Sequence, residues 1–210
     1  MKTIQDLTPK GVWKNFYLLT QIPRPSYLSG PITKFLLDFG KNLGLEAFTD
    51  DVGNVIIRKP ASSGMEDRKG VIIQGHMDMV PQKNNDTEHN FETDPIQTYI
   101  DEDWVKARGT TLGADNGLGV AAMMSILEDD TLKHGPLEML ITKDEEVGMI
   151  GAFGLKPDVL QGEILLNLDS EDEGDLYIGC AGGTDVIATL EYKETVLEEN
   201  DEAYMITLKG

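Results

Sequence analysis

Apolar residues recur along the chain at two spacings, and the way these spacings alternate predicts an α/β protein. Positions three or four apart are apolar in residues 9–22 and 31–43, which predicts two amphipathic helices. A nearly continuous apolar run predicts a buried helix at 116–129. Shorter apolar runs predict strands at 54–58, 71–73, 104–107, 137–142 and 164–168. Strands that alternate with helices in this way favour a layered α/β sheet.

The remaining segments predict a long loop, a short helical piece and a second domain. Residues 81–98 are polar and turn-rich, which predicts a surface loop, and 147–155 predicts a turn followed by a short helix. Alternating apolar positions at 185–192 and 204–209 predict two half-buried strands on either side of an acidic stretch. We therefore assign residues 1–184 to the first domain and 185–210 to the beginning of a second.

Composition narrows the functional classes. A net charge of −19 argues against nucleic-acid binding, because no basic stripe is available to neutralise phosphates. No segment approaches the roughly 18 apolar residues of a membrane span, so we expect no membrane partner. The single cysteine favours a reducing compartment, and the N-terminal residues contain no apolar run typical of a signal peptide. The expected location is the cytoplasm.

Acidic side chains and one histidine follow the predicted strands. His76 comes after the strand at 71–73, Glu145 and Glu146 come after 137–142, and Asp169 comes after 164–168. Asp115 precedes the buried helix. Ligands of open α/β sheets gather beyond the carboxyl ends of the strands, so we expect these side chains to meet at one edge. An imidazole with several carboxylates is typical of a hydrolytic site for divalent metal.

Spacing and position suggest different roles for these groups. Asp78 lies two residues after His76, a spacing that suits a carboxylate holding the far nitrogen of a metal-bound imidazole. Asp115 lies in a glycine-rich turn and has two oxygens with which to bridge two metal ions. If either Glu145 or Glu146 binds metal, its neighbour is placed to act as a general base. Two divalent cations carry four positive charges. These would be balanced by a hydroxide and three carboxylates, namely Asp115, Asp169 and one of the two glutamates.

Four blocks of sequence carry a resemblance to a known family. They are Gly75–Asp78, Gly109–Gly117, Asp144–Ala152 and Asn167–Glu171. In this order they resemble the aminoacyl-histidine dipeptidases (peptidase D), which are co-catalytic zinc peptidases with a lid domain. The likeness covers essentially the whole chain. It implies a three-layer α/β sandwich around a mixed, mostly parallel sheet of the zinc-exopeptidase type, and it makes residues 185–210 the start of an α+β lid or dimerisation domain.

The resemblance also implies a role for each site residue. His76 and Asp169 would hold one metal ion, Glu146 would hold the other, and Asp115 would bridge them. Asp78 would orient His76, and Glu145 would be the general base. The metals would be two Zn²⁺ ions, with Co²⁺ or Mn²⁺ as alternatives, and the peptide bond after Asp115 would be cis.

The implied reaction is hydrolysis of dipeptides, Xaa-His among them, by a metal-bridging hydroxide. The partner would be a small peptide substrate, and the full-length protein would be a homodimer.

One ligand of the family pattern has no counterpart in these residues. The resemblance implies a further histidine for the second metal beyond the lid, whereas the histidines here are His76, His89 and His134. His134 precedes a strand, so we expect it at the opposite edge of the sheet, and His89 falls in the long loop. Two alternatives therefore stay open. One is an inactive or incomplete metal-binding fragment, and the other is a related aminoacylase or carboxypeptidase.

Overall fold

The computed structural model describes residues 3–170, 172, 174–179, 182, 186–194, 196 and 198–207. The chain divides into two compact units, residues 1–171 and 172–210. Every helix and strand found in the described residues lies in the first unit. No helix among the described residues is both long and apolar enough to cross a membrane. The predicted domain boundary at 184/185 falls on two residues outside the described set.

The first unit contains four helices and seven strands among its described residues. The helices are α1 (Lys10–Thr20), α2 (Gly30–Asn42), α3 (Ala114–Glu128) and α4 (Ile150–Gly154). The strands are β1 (Glu46–Thr49), β2 (Val55–Lys59), β3 (Val71–His76), β4 (Thr98–Asp101), β5 (Trp104–Ala107), β6 (Leu137–Thr142) and β7 (Ile164–Asn167). A single 3-10 turn, Ile4–Asp6, precedes α1.

Five strands form the central sheet, in the order β1-β2-β6-β3-β7. β3 pairs in parallel with β6 and with β7, while β2 pairs antiparallel with β1 and with β6. Four strands therefore run in one direction and only β2 opposes them, which confirms the prediction of a mixed, mostly parallel sheet. β4 and β5 form a separate antiparallel pair.

Helices cover one face of the sheet and a thinner layer covers the other. α2 packs on β1 and β2, α3 packs on β3, and α1 packs on α3. Alternate residues of β2, β3 and β6 point to this helical side, where they join the main core. On the other face Ile56, Ile72 and Leu140 are covered by Phe48 and by the segment 155–160 that follows α4. The three layers predicted from the sequence are thus present.

β7 lies at one edge of the sheet and is the least covered strand. Its apolar side chains Ile164, Leu165 and Leu166 are 42%, 53% and 46% exposed. Among the described residues it pairs only with β3, whereas β3 is hydrogen-bonded on both sides. β3, β6 and β7 nevertheless end side by side, since His76 lies opposite Thr142 and Gln74 lies opposite Asn167. The carboxyl ends of these three strands form what we call the carboxyl edge of the sheet. This edge collects the residues that follow the three strands.

The structure corrects several predicted elements. β1 and β4 were not predicted, because each has only four residues and neither alternates cleanly between buried and exposed positions. The strands predicted at 185–192 and 204–209 are wrong for their described residues, 186–192 and 204–207, none of which lies in a strand. Val186, Leu190 and Tyr204 are more than 80% exposed. A half-buried strand needs a pairing strand and a covering layer, and the described residues of this unit supply neither.

Candidate metal centre

The side chains predicted to meet at the carboxyl edge of the sheet do so. His76 is the last residue of β3, and Asp169 follows β7. Glu145 and Glu146 follow β6, and Asp115 lies in the first turn of α3. Potential ligand atoms form two overlapping groups, within each of which all atoms lie within 4.8 Å of one another. One group is His76, Asp115 and Glu146, and the other is His76, Glu145 and Asp169.

His76 is the centre of both groups. Its Nε2 lies 2.8 Å from Asp115 Oδ1, 3.6 Å from Asp169 Oδ1 and 3.9 Å from Glu145 Oε2. The imidazole is fully buried, whereas the side chain of Asp115 is 53% exposed. The cluster is therefore closed on the side of the sheet and open on the side of α3, where a substrate could approach.

The turn that carries Asp115 departs from helical geometry. Asp115 and Asn116 have non-helical backbone angles although they lie within the bounds of α3, and Gly113 before them has φ +69°. The peptide bond between Asp115 and Asn116 is cis, as the family resemblance implied. Asn116 is buried, and its Nδ2 donates to Asp169 Oδ1 and to the carbonyl oxygen of Leu168, both at 2.8 Å. It therefore ties the start of α3 to the residues after β7.

Asp78 joins the histidine to the pair of glutamates. His76 Nδ1 lies 3.1 Å from the carbonyl oxygen of Asp78 and 3.4 Å from its Oδ1. The carboxylate also accepts hydrogen bonds from the backbone N–H of Glu145 at 3.0 Å, from that of Glu146 at 3.3 Å, and from Ser26 Oγ at 2.8 Å. Burial alone would raise the pKa of Asp78, but the hydrogen bonds from His76, Glu145 N–H and Ser26 hold it below its usual range.

The electrostatics of the cluster favour a cation at its centre. Burial lowers the pKa of His76, but hydrogen bonds to Asp169, Asp78 and Asp115 outweigh burial and raise it to about 11. The acidic cluster thus holds a proton on His76 in the absence of any other cation. A divalent metal would supply that positive charge instead, and one imidazole with several carboxylates is a donor set that divalent metal ions accept. The residues present therefore fit a metal ion.

The two glutamates lie in an environment that favours their protonated forms. Burial raises the pKa of Glu145, and the nearby charges of Asp169, Asp78 and Asp115 raise it further against the opposing effect of His76. Burial likewise raises the pKa of Glu146, with Asp115 as the next cause. A carboxyl with a raised pKa is better matched to proton transfer near neutral pH than an ordinary one.

Two residues near the cluster were given no role from the sequence. Arg24 lies between Pro23 and Pro25 after α1. It is 2% exposed, and its guanidinium bonds to the loop after His76 and to the loop before Asp115. Asn116 entered the sequence analysis only as the first residue of the predicted buried helix. An arginine flanked by prolines is the local signal for Arg24, but nothing in the neighbouring sequence identifies its distant partners.

The other two histidines lie away from the cluster, as expected. His134 Nδ1 lies 2.7 Å from the carbonyl oxygen of Gly135, just before β6 and hence at the opposite edge of the sheet. His89 packs edge-on against Phe91, with 4.5 Å between ring centroids, in the loop that precedes β4. Neither belongs to either group of potential ligands in the described part of the chain.

A mixed sheet with a histidine and carboxylates beyond the carboxyl ends of its strands defines an α/β protein with a candidate metal centre. Comparison with known proteins identifies the family. The model described as Peptidase family M20/M25/M40 matches residues 72–193. This match covers more than half of the chain and includes the whole cluster. The chain belongs to this family.

Individual relatives agree with the resemblance to dipeptidases. The cytosol non-specific dipeptidase of Escherichia coli (strain K12) is 50% identical over 210 residues, which are 100% of this chain and 43% of that protein. The crystal structure of aminoacylhistidine dipeptidase from Vibrio alginolyticus is 50% identical with a TM-score of 0.81, over 82% of this chain and 35% of that one. Aminopeptidase PepT from Bacillus cereus ATCC 10987 is 27% identical with a TM-score of 0.66, over 78% of this chain and 44% of that one. The chain spans less than half the length of these relatives.

Proposed function

We propose that the protein is a metal-dependent dipeptidase that cleaves dipeptides, Xaa-His among them. The observation that carries this proposal is the pair of overlapping ligand groups around His76 at the carboxyl edge of the sheet. Two relatives that are 50% identical have names that specify dipeptidases, one described as non-specific and the other as acting on aminoacylhistidine. These names support a dipeptide substrate with some breadth in its side chains.

The proposed metals are two divalent ions, Zn²⁺ with Co²⁺ or Mn²⁺ as alternatives. His76 and Asp169 would hold one ion, Glu146 would hold the other, and Asp115 would bridge them. Bound metal of this kind polarises a peptide carbonyl and lowers the pKa of water. The raised pKa of His76 supports a cation at this position, because the surrounding carboxylates favour positive charge there.

Glu145 is proposed as the general base and Asp78 as the residue that orients His76. The Glu145 side chain is 28% exposed and its Oε2 lies 3.9 Å from His76 Nε2, so it can reach both solvent and the centre of the cluster. In the proposed reaction Glu145 takes a proton from the attacking water and returns it to the leaving amine. Its raised pKa supports both transfers.

The test compares two neighbouring variants in the full-length protein. Glu145→Gln should lower kcat by roughly 10²–10⁴-fold while leaving the metal content unchanged, because general bases contribute rate enhancements of this size. Glu146→Gln should instead lose bound metal, measured by elemental analysis after gel filtration. Undiminished hydrolysis of a dipeptide by Glu145→Gln would remove Glu145 from the mechanism.

A second candidate function is binding of divalent cations without turnover. The observation that favours it is that the two ligand groups of the described residues contain the same histidine, His76. Two metal ions would therefore have to share the environment of one imidazole. Metal stoichiometry separates the two candidates. Two tightly held ions per chain would favour the dipeptidase, and one or none would favour the cation-binding domain. The homodimer, the lid domain and the cytoplasmic location stay predictions.

A further inference from the structure

Arg24 is a buried cation in the segment that leaves α1. It is 2% exposed, and burial lowers its pKa to about 10 while the charges of Asp78, Asp115 and Glu146 oppose that shift. It is therefore protonated at neutral pH. The partners that its guanidinium bonds to are backbone carbonyl oxygens, which are neutral. A buried charge is costly unless it is hydrogen-bonded, so its bonds to neutral groups must hold it in place.

Those hydrogen bonds join two loops. Arg24 Nη1 donates to the carbonyl oxygens of Met77 and Asp78, each at 3.1 Å, in the loop directly after His76. Arg24 Nη2 donates to the carbonyl oxygen of Gly113 at 2.5 Å, two residues before Asp115. The guanidinium is planar and rigid, so hydrogen bonds through Nη1 to one loop and through Nη2 to the other fix the distance between the two loops.

The neighbouring glycines make the space that the guanidinium occupies. A Cβ at Gly113 would lie 2.6 Å from Arg24 Nη2, and a Cβ at Gly117 would lie 2.5 Å from the same atom. Both distances are shorter than any ordinary contact. The backbone around Arg24 is held as well, since Met79 N–H donates to its carbonyl oxygen at 3.1 Å and Ser26 bonds to Asp78.

We propose that Arg24 is a positioning residue that sets the separation between His76 and Asp115 and so prepares the cluster for metal. The inference rests on the metal-binding part of the proposed function, since it treats these two side chains as ligands. Arg24 does not touch the ligand atoms themselves. It acts through Met77, Asp78 and Gly113, whose positions decide where the imidazole and the carboxylate point.

Charge and geometry give opposite expectations for the loss of Arg24. If the residue acted only as a charge, its removal would strengthen metal binding, because one cation near the site would be gone. If it acts by position, its removal weakens metal binding. Lysine separates the two effects, because it keeps the charge but lacks the planar fork that bonds both loops.

The experiment measures Co²⁺ affinity in the metal-free, full-length protein by visible absorption, without substrate. Arg24→Met and Arg24→Lys should both bind Co²⁺ roughly 10–100-fold more weakly, the usual loss when a supporting residue of a metal site is removed. The shape of the Co²⁺ absorption bands should also change in both variants. Tighter or unchanged binding by Arg24→Met would overturn the proposal, as would Arg24→Lys with wild-type affinity.

A matched control and a second variant keep the result interpretable. Arg58→Met removes an arginine that bonds to Glu138, Glu46 and the carbonyl oxygen of Val159 near the opposite end of the sheet, so it should leave Co²⁺ affinity unchanged. In Gly117→Ala the added Cβ would lie 2.5 Å from Arg24 Nη2 and 3.0 Å from Phe16 Cε2, so the guanidinium must shift although it is not deleted. Alanine is also a better helix former than glycine. If the Arg24 variants fail to fold, weaker Co²⁺ binding by Gly117→Ala supports the proposal and wild-type binding overturns it.

Failure of this inference is distinct from failure of the proposed function. A wild-type protein that binds Co²⁺ but hydrolyses no dipeptide would contradict the dipeptidase and leave the role of Arg24 standing. A protein that hydrolyses dipeptides with unchanged metal affinity in Arg24→Met would do the reverse.

Discussion

Asp78 couples the histidine of the cluster to the two glutamates. One carboxylate lies beside His76 and accepts hydrogen bonds from the backbone of Glu145 and Glu146. The sequence predicted the contact with His76 from the two-residue spacing. The sequence could not predict the bonds to Glu145 and Glu146, which are separated from Asp78 by 67 and 68 positions. Those bonds depend on β3 and β6 being neighbours in the sheet.

We expect Asp78→Asn to weaken Co²⁺ binding by roughly 10–100-fold. An amide has one acceptor oxygen in place of two, so it cannot accept the present bonds from Ser26, Glu145 and Glu146 together. Titration of the metal-free protein measures the loss. The matched control is Asp94→Asn, because Asp94 also accepts a backbone hydrogen bond, from Asn90, but lies in the loop before β4. Equal affinities for the two variants would contradict the role given to Asp78.

Elements with a strong apolar period were predicted well from sequence, and short or irregular ones were not. α1, α2, β5 and β6 lie within two residues of their predicted bounds, because each presents a clear apolar face or run. α3 was expected to begin at residue 116, and its regular geometry does begin only after Asn116. The conformation of the Asp115 turn is set by contacts with Arg24 and Asp169, which lie far away in sequence.

The carboxyl end of α3 is held by a buried lysine from β2. Lys59 Nζ donates to the carbonyl oxygens of Leu127 and Asp129, both at 2.9 Å, and lies 3.3 Å from that of Ile126. Its side chain is 10% exposed, so the charge interacts with the end of the helix through little solvent.

Lys59→Met should lower the free energy of unfolding by about 1–3 kcal/mol, because it leaves these carbonyls without their donor. Urea denaturation measures the change. Lys34→Met is the control, since Lys34 pairs with Asp38 on the exposed surface of α2, and its loss should cost less than about 0.5 kcal/mol. A Lys59 variant as stable as the control would show that water satisfies the helix end equally well.

Across the whole molecule, acidic residues outnumber basic ones by 37 to 18, and the cluster brings several of them together. Such a concentration of negative charge opposes folding unless cations offset it. Metal that binds the folded chain and not the unfolded one must therefore stabilise the fold.

Removal of metal should lower the thermal midpoint. At a free metal concentration of 100 times Kd the stabilisation is about 2.7 kcal/mol, which corresponds to roughly 5–10 °C for a chain of this size. Differential scanning calorimetry before and after chelation, with Zn²⁺ added back, measures the shift. Glu146→Gln should show a smaller shift than the wild type. A midpoint that does not respond to chelation would contradict a metal site in this cluster.

Because β7 is the outer strand of the sheet, His76 and Asp169 are held by strands of different local stability. His76 ends a strand that is hydrogen-bonded on both sides, whereas Asp169 follows a strand that is half-exposed and, within the described part of the chain, is bonded on one side only. Segments with fewer buried contacts and more exposed hydrogen bonds open locally at lower free energy. Backbone amides of β7 should therefore exchange with solvent faster than those of β3. Asp169 is thus carried by the strand that opens more easily, whereas the imidazole of His76 is carried by the strand that opens less easily. The hydrogen bond from Asn116 Nδ2 to Asp169 Oδ1 connects Asp169 to α3.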